Sequence, residues 1–194
     1  MSASLVGSEM CIRDRYDGSH KVRAARGLIA ADQRAEGADM IDDLKINETL
    51  RERWYAKGYW THDTIADIWE RTSAAHPDRE YVCDDTGSRL TYGEVDDKAG
   101  RVAAWLVAEG VKAGDVVTLQ FPTWAEFTIA YVAVLKVGGV VHPVPRNYND
   151  VDLEYAMNLV GSRAYLSPTF SHNTDYEAQI LSVRDAIPSL AAIA

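Results

Sequence analysis

LTYGEVDDKAGRVAAWLVAEGVKAGDVVTLQFPTWAEFTIAYVAVLKVGGVVHPVP, Leu90–Pro145, decides the fold of this chain. Thr91-Tyr92-Gly93-Glu94 has the spacing of a capping box, in which a hydroxyl and a carboxylate each satisfy a free backbone N–H of a helix's first turn. Behind it Val95, Ala99, Val102, Ala103 and Leu106 recur on one helical face, and Gly110 offers a left-handed stop. Val116–Phe121 is a short apolar run suited to a buried strand, closed by Pro122. Thr123-Trp124-Ala125-Glu126 repeats the capping-box spacing and opens a second helix, with Phe127, Ala130, Tyr131, Val134 and Leu135 on its expected stripe. Gly138-Gly139 stops that helix, and Val140–Val144 follows as another strand.

The same punctuation continues outward. Asn149 or Asp150 caps a helix expected to face inward through Leu153, Ala156, Met157 and Val160. Ala164–Leu166 is a third short strand, Asp175–Ile187 a last helix ended by Pro188, and Leu190–Ile193 the start of a further strand. On the other side, Asp63 is the expected cap of a helix carrying Ile65, Ile68, Trp69 and Thr72 at helical spacing. Tyr81–Cys83 and Arg89–Thr91 flank the turn-rich Asp84–Ser88 as a hairpin. Helices alternating with short apolar strands require a parallel sheet, because parallel neighbours need a crossover long enough to hold a helix. The crossovers should be right-handed. The expected class is therefore α/β: a doubly wound, largely parallel sheet flanked by helices. The pattern stops in mid-sheet, as a truncated gene would leave it.

Bulk properties narrow the functions. A chain of 194 residues, 47% hydrophobic and 25% charged, fits one folded domain with at most an appended arm. A net charge of −9 argues against a nucleic-acid surface, which needs clustered Lys and Arg. No run approaches the roughly 18 apolar residues of a membrane span, and the first residues are too charged for a secretory signal. Two cysteines, Cys11 and Cys83, without metal-type spacing fit a reducing cytoplasm better than a disulfide framework. Asn47-Glu48-Thr49 matches a glycosylation triplet, which has no meaning in that compartment.

The amino terminus stands apart. Ser4–Arg15, SLVGSEMCIRDR, resembles one frame of a transposase-type sequencing-library adapter translated as coding DNA; a disordered natural leader is the alternative. Residues 1–15 are therefore expected to add nothing to the fold. Residues 16–39 are polar and alanine-rich, a fluctuating helix or upstream DNA read through in frame, and Met40 is the expected natural start. Residues 40–194 form the expected domain.

No self-contained active site emerges from the residues. Neither GxGxxG nor GxxxxGK[ST] occurs, and Gly138-Gly139 sits at a helix's end, whereas phosphate cradles sit at a helix's beginning. His20, His62, His76, His142 and His172 show no ligand-type pairing with Cys, Asp or Glu. His142 ends a strand, where ligands gather in open α/β sheets; its alternative is a packed, hydrogen-bonded strand histidine. Trp54, Tyr55, Tyr59 and Trp60 could line an aromatic pocket, but the preferred reading has them staple an amino-terminal arm onto the domain. No serine occupies a GxSxG turn and no cysteine has a base partner.

Five segments carry a family resemblance. LTYGEV, Leu90–Val95, resembles the first core motif of adenylate-forming enzymes, and LKVGGVVHPVP, Leu135–Pro145, resembles the second. Between them QFPTWAEF, Gln120–Phe127, is similar to the "QLPNW" segment of many acyl-CoA ligases; Thr123 departs from it mildly, since Thr caps a helix as Asn does. RAYLSPTFSHNTDY, Arg163–Tyr176, and Gly58-Tyr59-Trp60 are similar to the aryl-acid, cyclic-acid and medium-chain branch. The resemblance covers about residues 40–194 and implies the amino-terminal part of the large domain of an ATP-dependent carboxylate–CoA ligase. Such an enzyme joins a carboxylate to the α-phosphate of ATP with release of pyrophosphate, then lets the CoA thiol displace AMP. Transfer to a carrier protein's thiol shares the first step, and a non-catalytic α/β binding module is the reading from another class. The resemblance implies ATP, Mg²⁺ and CoA for the whole enzyme and none of them for this portion alone. The family's lysine-ended phosphate loop, ribose-binding Asp, hinge Arg and mobile Lys have no counterpart in this sequence. No catalytic or metal-binding residue is therefore assigned, cofactor-binding residues are unassigned, and this portion is expected to be inactive by itself.

Overall fold

The structure, a computed structural model, describes residues 47–194; the expectations for residues 1–15, for 16–39 and for a start at Met40 fall outside them. In chain order the elements are α1 (Glu48–Ala56), α2 (Ile65–Ala75), β1 (Glu80–Cys83), β2 (Arg89–Thr91), α3 (Tyr92–Ala108), β3 (Val116–Leu119) and α4 (Ala125–Val137). They continue with β4 (Val140–Pro143), α5 (Asp150–Leu159), β5 (Ala164–Leu166), β6 (Phe170–Ser171), β7 (Thr174–Asp175), α6 (Tyr176–Val183), a 3₁₀ turn (Arg184–Ala186) and β8 (Ala192–Ile193).

The main sheet has the order β4-β3-β5-β8, every pair parallel, with Thr118 opposite His142 on one side and Tyr165 on the other. From β3 the chain crosses through α4 to β4, then returns past β3 through α5 to reach β5. Crossovers of one hand that run in opposite directions place their helices on opposite faces, and the packing agrees. Val117, Leu119, Ala164, Leu166 and Ala192 meet α3 and α4 in one core. Tyr165 meets Leu153, Met157, Ile180 and Val183 of α5 and α6 in the other. The sheet is doubly wound, as the alternation requires.

α3 follows its sequence closely. The Thr91 hydroxyl accepts from the Glu94 N–H at 3.2 Å, the Glu94 carboxylate accepts from the Thr91 N–H at 2.8 Å, and Val95, Ala99, Val102, Ala103 and Leu106 are all buried. At the other end of the crossover, Gly138 stops α4 in the left-handed region, with φ of 76°. A Cβ on the next glycine, Gly139, would lie 3.1 Å from the Asp115 carbonyl, so a side chain at the α4–β4 corner would push that backbone by a few tenths of an ångström.

Two expectations are corrected. The cap of α2 is Thr64, in a reciprocal box with Asp67, while the Asp63 carboxylate accepts from Arg71 at 2.7 Å. A hydroxyl one residue later reaches the third helical N–H, which leaves Asp63 free to pair along the helix surface. Of the residues at helical spacing on α2, Trp69 is buried, but Ile65 and Ile68 are 60% and 50% exposed and Thr72 returns its hydroxyl to the Ile68 carbonyl. The aromatic arm does not bury itself on the domain: α1 has no buried residue, Trp54 and Trp60 pack on one another with centroids 4.6 Å apart, and Tyr55 stacks on His62.

Candidate functional site

An open cleft of about 930 Å³ lies at the carboxyl ends of β3 and β4, where open α/β sheets collect ligands. Two loops make its walls. The loop after β3 contributes Phe121, Pro122 and Trp124, joined by Phe127 from α4, and the loop after β4 contributes Pro143, Pro145 and Arg146. Asp85 enters from the β1–β2 turn and His172 from the β6–β7 turn.

Gln120 ties these walls together from below. Its amide Nε2 donates to the Pro145 carbonyl at 3.2 Å, and its Oε1 accepts from the Tyr165 hydroxyl at 2.5 Å. Both side chains are fully buried, so each polar atom must be satisfied within the protein. Burial pushes the Tyr165 phenol well above its usual range, which keeps it a neutral donor.

The first turn of α4 departs from expectation in an informative way. Its cap residue is Trp124, not Thr123, and no side chain of its own segment caps it. The Ala125 N–H instead donates to Asp84 Oδ2 at 2.8 Å, across 41 positions of sequence. The other oxygen, Asp84 Oδ1, accepts from the Thr86 N–H, the Thr86 hydroxyl and the Ser88 N–H. These hydrogen bonds, Thr86's hydroxyl foremost, hold the Asp84 carboxyl below the usual carboxylate range. One carboxylate thus orders the β1–β2 turn and fixes the cleft wall at Trp124.

The histidines separate. His142 does not line the cleft: it lies on the α5–α6 side of β4, where Nδ1 is 3.0 Å from the Thr118 hydroxyl, itself 2.7 Å from the Ser162 hydroxyl. Burial lowers its pKa, favouring the neutral ring. His172 reaches the cleft rim because His172 and Asn173 take φ of 49° and 66°, the left-handed pair that closes a two-residue hairpin. Its Nδ1 meets the Ser171 hydroxyl at 2.7 Å. Sequence reasoning singled out none of Asp84, Asp85, Arg146 or His172 for the cleft. His-Asn between two short runs was the one local signal that could have placed His172 in a turn.

The described helix N-termini are poor anion sites. Helix N-termini attract anions through free N–H groups and the dipole, yet each of the six helices carries an acidic residue in its first turn. Among the described residues no group of three His, Cys, Asp or Glu could hold a metal ion. The cleft is instead walled largely by aromatic rings and prolines, with Asp85, Arg146 and His172 as its ionisable groups.

Comparison with known proteins places this fold. Residues 69–193 match the AMP-binding enzyme family, and the chain belongs to that family. It is 33% identical over 156 residues to a medium-chain fatty-acid–CoA ligase of Escherichia coli, covering 80% of this chain and 28% of that protein. It is 37% identical over 90 residues to a salicyl-AMP ligase / salicyl-S-ArCP synthetase of Mycobacterium tuberculosis, covering 44% of this chain and 16% of that protein. The amino-terminal domain of FACL13 from Mycobacterium tuberculosis superposes with a TM-score of 0.60 at 22% identity, over 68% of this chain and 33% of that one, a likeness of fold. The chain therefore spans little more than a quarter of its Escherichia coli relative.

Proposed function

We propose that this chain is part of an ATP-dependent ligase that adenylates a carboxylic acid and passes the acyl group to the thiol of CoA. The observation that carries the reading is the 33% identity over 156 residues to a fatty-acid–CoA ligase, beside the family match over residues 69–193. The cleft is consistent with it: its apolar walls suit the organic part of a substrate, which takes its affinity from burial and its orientation from a few polar groups. In this reading ATP and Mg²⁺ are held mainly by residues beyond 47–194, and this portion alone is inactive. The cytoplasmic location expected from the cysteines belongs to the same proposal. Among the described residues no helix is long and apolar enough to cross a membrane.

A second reading, transfer of the acyl group to a carrier protein, is favoured by one observation, the 37% identity to the salicyl-AMP ligase. Expression of the longest reading frame that contains these residues separates the two. AMP and pyrophosphate should appear only with ATP, Mg²⁺ and an organic acid together, and a thioester should form on CoA. A thioester on a carrier protein but not on CoA would establish the second reading. ATP hydrolysis without acid-dependent AMP would sink both, and no turnover with any acid would leave a non-catalytic binding module. The chain of 194 residues by itself should show no pyrophosphate exchange.

A further inference from the structure

α5 is apolar on two opposite sides. Leu153 and Met157 are fully buried against the sheet, as its helical period requires. Val151, Tyr155 and Leu159 recur every four residues on the reverse side and are 75%, 69% and 67% exposed. They are three of the four most exposed large apolar side chains among the described residues. Scattered exposed apolar residues need no explanation, but a continuous row along one helix face does.

Charge decides what can cover this row. At 100° per residue, Asp152 and Glu154 fall on either side of it, and α5 contains no Lys, Arg or His. A second copy docking through the same row would set carboxylate against carboxylate. Three side chains also expose far less than the roughly 800 Å² that a stable dimer buries on each partner. An anionic lipid surface would repel the same flanks and a chain of net charge −9. The complement is an apolar stripe with a basic rim.

We propose that the outer face of α5 is a docking surface for an amphipathic helix of a protein partner, with apolar side chains three and four residues apart between Lys or Arg flanks. The contact is small, so its affinity is modest and its on-rate and salt dependence are set by the flanking charges.

The test uses the full chain and two synthetic helical peptides of about 18 residues, long enough to hold helix in water. Both carry leucines at helical spacing; one has lysine flanks and the other glutamate flanks. Fluorescence anisotropy near physiological salt should show saturable binding of the lysine peptide alone. Tyr155→Ser with Leu159→Ser should weaken it at least tenfold, and Asp152→Lys with Glu154→Lys should abolish it while admitting the glutamate peptide. Asp152, Tyr155 and Leu159 are exposed and Glu154 is partly exposed, and unchanged urea midpoints confirm that the variants fold. Failure of the lysine peptide to bind overturns the proposal. So does equal binding of both peptides, binding indifferent to the Tyr155/Leu159 change, a dimer lost in that variant, or flotation of the chain with anionic vesicles.

Discussion

The two faces of the main sheet use the same four strands to opposite ends. Toward α3 and α4 the strands present only Val117, Leu119, Ala164, Leu166, Ala192 and the half-buried Val141. Toward α5 and α6 the alternate positions present, beside the apolar Val144 and Ile193, Thr118, Gln120, His142 and Tyr165, joined in two hydrogen-bonded sets. Apolar packing is non-directional and supplies most of the stability. Buried polar groups must meet particular partners, so they fix which strand lies beside which and where the next loop goes. One face holds the sheet together, and the other sets the geometry of the cleft at its end.

Four changes would break or sharpen that contrast, in descending order of effect. Leu106→Ala removes a fully buried side chain from the apolar face and should cost about 3 kcal/mol in urea unfolding. A loss below about 1 kcal/mol would mean that this face is not the main source of stability.

On the other face, Tyr165→Phe strands the buried Gln120 Oε1 and should cost about 1–2 kcal/mol. Adding Gln120→Leu removes the orphaned oxygen and should recover part of that loss, although the Pro145 carbonyl loses its donor; a strictly additive double variant would show that the pair is uncoupled.

Asp84→Ala acts at neither core but at the cleft wall. Amide exchange at Ala125 should quicken while the α3 amides stay protected, and unchanged exchange at Ala125 would show the cap to be dispensable. Because the folded Asp84 has a lowered pKa, its contribution is present above the normal value of 3.8 and is lost as pH falls through the folded value. The variant's acid limb should therefore be shallower than the parent's.

The smallest effect belongs to His142. Its folded pKa lies below the ordinary 6.5, so the unfolded chain binds the proton more readily, and stability should decline as pH falls below that value. His142→Asn should flatten this part of the curve; an unaltered slope would assign it to other groups.

Local chemistry in the sequence was enough for α3, for the parallel sheet and for both windings around it. Thr91 and Glu94 are three residues apart, and the apolar rows of the strands are short and continuous, so periodicity and capping carry the answer. The cleft was far less legible. Thr123 has the right spacing to cap α4, yet a hairpin 41 positions earlier supplies the carboxylate, and no local rule anticipates a cap made across that distance. Gln120 reads as the tail of an apolar strand, while its role comes from Tyr165 and the Pro145 carbonyl, both brought near only by the fold. Ile65 and Ile68 show that helical spacing finds an apolar face without saying whether anything covers it.

The order of the strands has a consequence for synthesis. β3 pairs first with β4, made directly after it, but its second neighbour is β5, which follows only after α5. A chain emerging from the ribosome therefore carries Val116–Leu119 with one hydrogen-bonding edge open until Ala164–Leu166 is made. At about 5–20 residues per second that interval lasts on the order of seconds, long compared with the microseconds of a chance collapse. Nascent chains are thus most open to wrong pairing in that window, and a pause in translation inside α5 would lengthen it.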